Sequence, residues 1–310
     1  MKLGGYVFGI FPRSERLIDI SRLGNGFMEA ARDESKSLME IQAKYGLSYI
    51  DDPQLTWDDM FRPIILSQKG FSINGLTRYF ETNTFYKLPV IEGKIEYKDY
   101  LGSYLSLSGN LSVPYLISLP DPFTFFCMSK NNWYSDESSL IRDIGKLLAN
   151  ISHDLKSQGY NILVLKGPMY TKCDATRLEE SIKDSLHEIK ESFNGKVILH
   201  TYFGDPAKNA RVIKDSSVDG VGFDLKSIKY ESIQSFCLKD ISVGAIDGLN
   251  TKQETIDELK TIIKNLKGII SSENIYITNN VDLEFLPQSF SINKVKLIGS
   301  VMKVLNDGSI

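Results

Sequence analysis

Residues 138–166 read SSLIRDIGKLLANISHDLKSQGYNILVLK, and the fold turns on how this stretch is read. Leu140, Ile141, Ile144, Leu147, Leu148, Ile151 and Leu155 recur at three- and four-residue intervals, which predicts a helix with one apolar face. Gly159 ends that run, and ILVLK (162–166) follows as a short apolar segment without strict alternation. Such a segment suits a strand of a parallel sheet whose faces are covered by helices.

The same unit extends in both directions. GYVFG (5–9), LSYID (47–51), YLISL (115–119), VILHTY (197–202), VGFDL (221–225), ISVGAI (241–246) and IYITN (275–279) join ILVLK as predicted strands. Between them lie amphipathic stretches. In TKQETIDELKTIIKNLKG, Thr251 and Glu254 have capping-box spacing, and Ile256, Leu259, Ile263 and Leu266 form one stripe. Val295, Leu297, Ile298, Val301, Met302 and Leu305 repeat the pattern near the end. Eight strands alternating with helices predict an α/β fold of the (β/α)8 TIM-barrel type. An open doubly wound sheet is the alternative, because periodicity does not report closure. No G-x-G-x-x-G or Walker loop follows any strand, which weighs against a nucleotide-binding version of it.

Residues 52–114 break the rhythm. They contain DDPQLTWDDMFRPI and GLTRYFETNTFYKLPVIEGKIEYKDY, far more chain than a helix crossover between the second and third strands needs. An insertion at this end of a barrel is expected to form a lid or a partner-binding surface. With no repeat, linker or low-complexity tract, residues 1–310 are read as one domain carrying this insertion.

Bulk properties narrow the partners. Of 310 residues, 42% are hydrophobic and 24% charged, and 36 Lys+Arg against 39 Asp+Glu give a net charge of −3. That balance provides no field to recruit nucleic acid or an anionic membrane. Cys127, Cys173 and Cys237 form no C-x-x-C pair, which argues against a disulfide framework and a cysteine-rich zinc module. Pro12, Arg13 and Arg16 interrupt the only N-terminal apolar run, and VPYLISLP is too short to span a bilayer. The expectation is a soluble, cytoplasmic protein.

In barrels the chemistry sits where strands run out into βα loops. Those positions hold Phe11-Pro12-Arg13, Asp51-Asp52, Pro120-Asp121-Pro122, Lys166-Gly167-Pro168, His200-Thr201-Tyr202, Asp224, Asp247-Gly248 and Asn279-Asn280. Helix N-capping is the plain expectation for Asp51, Asp52, Asp224 and Asp247. No G-x-S-x-G elbow appears. His153 and His187 fall on predicted helices, so His200 is the histidine placed for chemistry.

The ordered words FPRS, LTRYFETNTFYKLP, LPDPFTF, HTYFGD, VDGVGFDL, GAIDGLNT and a late LP resemble cobalamin-independent methionine synthase over nearly the whole chain. That family pairs two barrel halves. Its C-terminal half carries zinc and transfers a methyl group from a folate to homocysteine; its N-terminal half lacks the metal and helps hold the folate. Single-barrel relatives also occur, for which the donor can be a methylcorrinoid.

The resemblance implies a His-x-Cys strand end, a later glutamate and a late cysteine for zinc. Here His200 stands with Tyr202 in place of the first cysteine, Asp224 near the glutamate's position and Val281 near the second cysteine's. A catalytic zinc takes three protein ligands, valine offers none, and a tyrosine would ligate only as phenolate, with a reference pKa of about 10. The family's DEP word, which holds the amino group of homocysteine, is replaced by Lys166-Gly167-Pro168. An attraction thereby becomes a repulsion of about 4 kcal/mol at ~4 Å and an effective dielectric near 20. TYFGD, VDGVGFDL and AIDGLN resemble the metal-free half, with Leu249 where that word carries an arginine.

Together these losses imply a zinc-less accessory or donor-binding subunit in methionine biosynthesis, beside a separate zinc-bearing barrel. Arg13, Arg16 and Lys166, with Asn83 ordering the insertion, are the expected binding residues for an anion such as the glutamate tail of a folate-type donor. The alternatives are a homocysteine S-methyltransferase with altered ligation and a barrel for another anionic small molecule. For the former, His200 and Asp224 are the metal candidates, and His200, Asp224 and Asp247 the catalytic ones.

Overall fold

The computed structural model describes residues 1–107, 112–236 and 238–307. Cys237 and part of the 52–114 segment lie outside the described residues. The strands in chain order are β1 (Lys2–Gly5), β2 (Ile50–Asp51), β3 (Lys69–Arg78), β4 (Phe85–Glu96), β5 (Tyr115–Pro120), β6 (Lys130–Asn131), β7 (Tyr160–Lys166), β8 (Lys196–Thr201), β9 (Gly220–Asp224), β10 (Asp240–Ile246) and β11 (Asn274–Asn279). Eight of them form one parallel sheet in the order β1-β11-β10-β9-β8-β7-β5-β2. The sheet curls until its ends touch: Ser48 N–H donates to the Gly5 carbonyl at 2.7 Å, and Gly5 N–H to Ser48 Oγ at 3.1 Å.

The helices are α1 (Glu15–Leu23), α2 (Phe27–Lys44), α3 (Arg62–Ser67), α4 (Pro122–Cys127), α5 (Glu137–Ser157), α6 (Glu179–Phe193), α7 (Ala210–Lys214), α8 (Tyr230–Ile233), α9 (Ile256–Lys267) and α10 (Gln288–Asn306). Asp136 caps α5, and all seven residues of its expected apolar face are buried. Two sequence expectations shift. The α9 capping box is Thr255–Glu258, not Thr251–Glu254, because Glu254 is drawn away to the buried ammonium of Lys294 at 3.1 Å. The first strand ends at Gly5 rather than spanning 5–9. Beyond Tyr6 the backbone is satisfied by side chains: Phe8 N–H donates to Asn279 Oδ1 and Ile10 N–H to Asp282 Oδ1.

Two apolar clusters result. The larger joins the helices, the sheet and the 52–114 segment. The smaller, Tyr6, Phe8, Tyr49, Leu116, Ile162, Val164, Ile198 and Tyr276, fills the concave side. Between β2 and β5, β3 and β4 form an antiparallel hairpin that β6 extends. Phe61 and Phe71 pack on Phe125, with centroids 5.1 and 5.7 Å away, and so tie this segment to α4. Among the described residues, no helix is long and apolar enough to cross a membrane.

Candidate functional site

Side chains two residues apart on a strand share a face. Ile162 and Val164 point to the concave side, so Lys166 follows them; Ile198 likewise carries His200 and Tyr202. The ladder then sets Lys166 opposite His200, and His200 opposite Gly222. Register thus gathers Lys166, His200 and the β9 end at one mouth.

Lys166 is only 2% exposed, and its Nζ lies 2.8 Å from Asp282 Oδ1, itself equally buried. Asp282 Oδ1 also accepts the Ile10 N–H at 2.8 Å. Space for the carboxylate exists because Gly9 has no side chain: at its φ of +92°, a Cβ would stand 2.3 Å from Asp282 Oδ1.

His200 is fully buried, with Phe8 against its ring at 4.2 Å. Its Nε2 meets the Asn280 carbonyl at 3.2 Å, which requires the proton on Nε2. Nδ1 is left without a partner, pressed against Gly222, where a Cβ would sit 2.0 Å away. Burial lowers the imidazole to about 3, outweighing the carbonyl's opposite effect, so it is neutral at physiological pH.

Tyr202 does not face an open site. Its hydroxyl is 2.6 Å from that of Tyr79, which follows β3. Burial, first of several causes, pushes both phenols well above their ordinary value, so neither supplies a phenolate. Val281 is buried and apolar.

The aspartates at strand ends bond their own loops and neighbouring strand ends rather than capping the long helices. Asp224 accepts from Asn280 Nδ2 at 3.0 Å, Lys226 N–H at 2.9 Å and Ser227 Oγ at 2.6 Å. Asp247 accepts the Leu249 N–H at 2.9 Å, away from His200's contacts. Asp52 accepts from Gln54, Ser106 and Tyr160. Asp51 keeps one buried oxygen unpartnered; burial, then the charges of Asp52 and Asp282, holds its carboxyl well above the usual range. Asp121 is the strand-end aspartate that caps a helix, α4.

The expected anion residues do not converge as free cations. Arg13 donates to the Leu55 and Trp57 carbonyls and pairs with Asp58 at 2.9 Å. Exposed Arg16 lines, with Arg13 and Trp57, an open groove of about 720 Å³ beside the mouth. Asn83 is exposed and accepts from Arg78 Nη2 at 3.5 Å. Next to Lys166 the remaining void is only about 20 Å³, lined by Asp58, Asp59, Asp282 and Glu284. Glu284 is raised by burial, then by Asp282, with Lys166 opposing. The lysine is thus matched by Asp282, and Asp58 and Asp59 are paired with Arg13 and Arg62, so among the described residues the mouth offers no unpaired cation to an anion.

Sequence reasoning placed Asn280 at a strand end but missed Asp282 and Tyr79. Asp282 lies three residues beyond β11, close enough to be legible as a polar strand-end residue; Tyr79 follows β3 in a hairpin whose contact with Tyr202 leaves no periodic trace.

One consequence concerns pH. A histidine at about 3 when folded and 6.5 when free leaves the folded chain short of a proton throughout that interval. The unfolded chain binds more protons there, so His200 lowers stability as pH falls from 6.5 toward 3. The His200→Asn variant is expected to flatten this acid limb by about 3 kcal/mol between pH 6.5 and 4, measured by urea unfolding across pH.

The residues present do not fit a zinc ion. Among the described residues, no three His, Cys, Asp or Glu side chains are grouped to hold a metal. His200 has one nitrogen on a carbonyl and the other against glycine, while Tyr202 is held by Tyr79.

Comparison with known proteins supplies the relatives. The family model for the N-terminal domain of cobalamin-independent synthase matches residues 37–271. A methionine synthase from Saccharolobus solfataricus is 23% identical, covering 97% of this chain and 94% of that protein. Among solved structures, a B12-independent methionine synthase from a Shewanella species, in complex with selenomethionine, superposes with a TM-score of 0.76 at 14% identity, over 91% of this chain and 89% of that one. A putative vitamin-B12-independent methionine synthase from Listeria monocytogenes gives 0.73 at 13% identity, over 98% and 99%.

Proposed function

Since the chain belongs to the cobalamin-independent synthase family, we propose that it is a metal-free barrel of methionine biosynthesis, acting as an accessory or donor-binding subunit beside a separate zinc-bearing barrel. The observation that carries this reading is the buried Lys166–Asp282 pair. It fills the strand ends where a thiol substrate and its metal would have to sit, and Asp282, already bonded to Lys166, is not free to hold the amino group of homocysteine. On this reading the curled sheet is a closed (β/α)8 barrel, and residues 52–114 are an insertion that lids its mouth. The void beneath the hairpin has no room for a folate-sized molecule. The donor's acidic tail is therefore assigned to the neighbouring groove, where Arg16 is the exposed cation and Arg13 is held by Asp58.

The test is a methyl-transfer assay with homocysteine and either 5-methyltetrahydropteroyl-glutamate or a methylcorrinoid. Alone, the chain should give no turnover; added to a zinc-bearing barrel from the same host, it should raise kcat/KM about tenfold or more. One zinc per chain, with turnover by the chain alone that His200→Ala abolishes, would instead establish a methyltransferase with altered ligation. No effect on the partner and no donor binding would point to another anionic ligand.

A narrower result concerns ligation. Tyr202→Cys rebuilds the His-x-Cys word, yet zinc measured by elemental analysis is expected to stay far below one per chain. His200 has no free nitrogen with space in front of it, and Val281 offers nothing. The variant should also lose about 2–4 kcal/mol through the cavity left beside Tyr79 and its unpaired hydroxyl.

A further inference from the structure

Two of the three cysteines meet across different βα loops. Cys127 ends α4, which follows β5; Cys173 follows the 3₁₀ turn Pro168–Thr171 after β7. These segments pack face to face. Phe123 lies against Tyr170 with ring centroids 5.1 Å apart, and Met169 N–H donates to Thr124 Oγ1 at 3.3 Å. One turn further on, Cys127 follows Thr124 by three residues on the same helix face. Cys173 follows Met169 by four, with its N–H on the Met169 carbonyl at 2.9 Å. The arrangement that joins Thr124 to Met169 thus brings the two thiols near enough to influence each other. Both are free thiols, partly buried.

We propose that Cys127 and Cys173 are a redox-modification site that closes to an intrachain disulfide, stapling the loop after β5 to the loop after β7. Burial, and then the nearby Cys173 and Asp121, hold Cys127 as a thiol, which suits it to the second, resolving step. With a soluble low-molecular-weight disulfide as oxidant, the Cys173 thiolate attacks one sulfur and releases one small thiolate, leaving a mixed disulfide. The Cys127 sulfur then attacks Cys173 Sγ, forming the protein S–S bond and expelling the second small thiol. Two protein thiols are oxidised, one external disulfide is reduced to two thiols, and the Cys127 proton leaves with the second. The staple lies next to the two strand ends carrying Asp121 and Lys166, so it restrains one side of the mouth. The inference does not depend on the role proposed above.

The experiment treats the intact chain with excess oxidised glutathione, followed by peptide mapping without reduction and thiol counting. A single cross-linked pair of peptides containing Cys127 and Cys173, a loss of two thiols and a retained Cys237 thiol are expected. Reducing agent should reverse the change, Cys127→Ser and Cys173→Ser should each abolish the bridge, and Cys237→Ser should leave it. The staple should also raise the wild-type Tm by a few degrees. Separate glutathione adducts on Cys127 or Cys173, a bridge to Cys237, or three persisting thiols would each overturn the proposal. Mapping of the wild-type chain decides the matter even if a serine variant fails to fold.

Discussion

Lys166→Met is expected to lose about 3–5 kcal/mol of folding stability, read as a lowered urea midpoint with unchanged m-value. Methionine matches the lysine stem in length, so packing changes little and the loss is electrostatic. Asp282 would keep its Ile10 N–H contact but lose the ammonium 2.8 Å away, and a carboxylate with 2% exposure has no water to replace it. The carboxyl would respond by taking up a proton, so the deficit should shrink as pH falls. Adding Asp282→Asn should recover most of the loss, because the amide oxygen still accepts from Ile10 without carrying charge. Asp282→Asn alone should be costly, since it strands the buried ammonium. A deficit below about 1 kcal/mol in Lys166→Met, with no coupling between the two substitutions, would show the pair to be hydrated and the mouth open.

The second large effect is at Gly222. Its ladder position opposite His200 places an added Cβ 2.0 Å from Nδ1, a separation that no pair of unbonded heavy atoms tolerates. Neither neighbour can move cheaply: the imidazole is wedged by Phe8 on one side and anchored through Nε2 to Asn280 on another. Gly222→Ala should therefore destabilise by about 3 kcal/mol or more, at the upper end of overpacking. In a His200→Ala background the methyl group gains space, and the same substitution should cost less than about 1 kcal/mol. That contrast is a coupling energy, and near-additive behaviour of the two changes would contradict the packing described. The pair also bears on metal binding, because glycine is needed here to admit a histidine ring rather than an ion.

Much of the architecture was legible in advance. The seven apolar residues of α5 and the strands around it are periodic, and periodicity follows from local backbone geometry whatever lies further away. The first strand was misplaced because Tyr6–Gly9 is as apolar as a strand and just as buried; only the bonds to Asn279 and Asp282 separate it from one. The α9 cap slipped by four residues because two Thr-x-x-Glu words stand back to back in TKQETIDE, and a distant lysine decides which glutamate is free. At the mouth, the strand-end positions of Lys166, His200 and Tyr202 were legible. The partners of Lys166 and Tyr202 were not.

The sequence by itself determined the alternation of strand and helix, the face each strand residue takes, and therefore which side chains arrive at the mouth. It also placed an ammonium, Lys166, and a phenol, Tyr202, at neighbouring strand ends. Only the tertiary structure decided what those groups do. Lys166 meets Asp282 across 116 residues and Tyr202 meets Tyr79 across 123, one through the curl of the sheet and the other through a hairpin folded over it. Side-chain direction is set by the chain's own stereochemistry within a few residues. Partner choice is set by which strands become neighbours and in what register, and no local pattern carries that information.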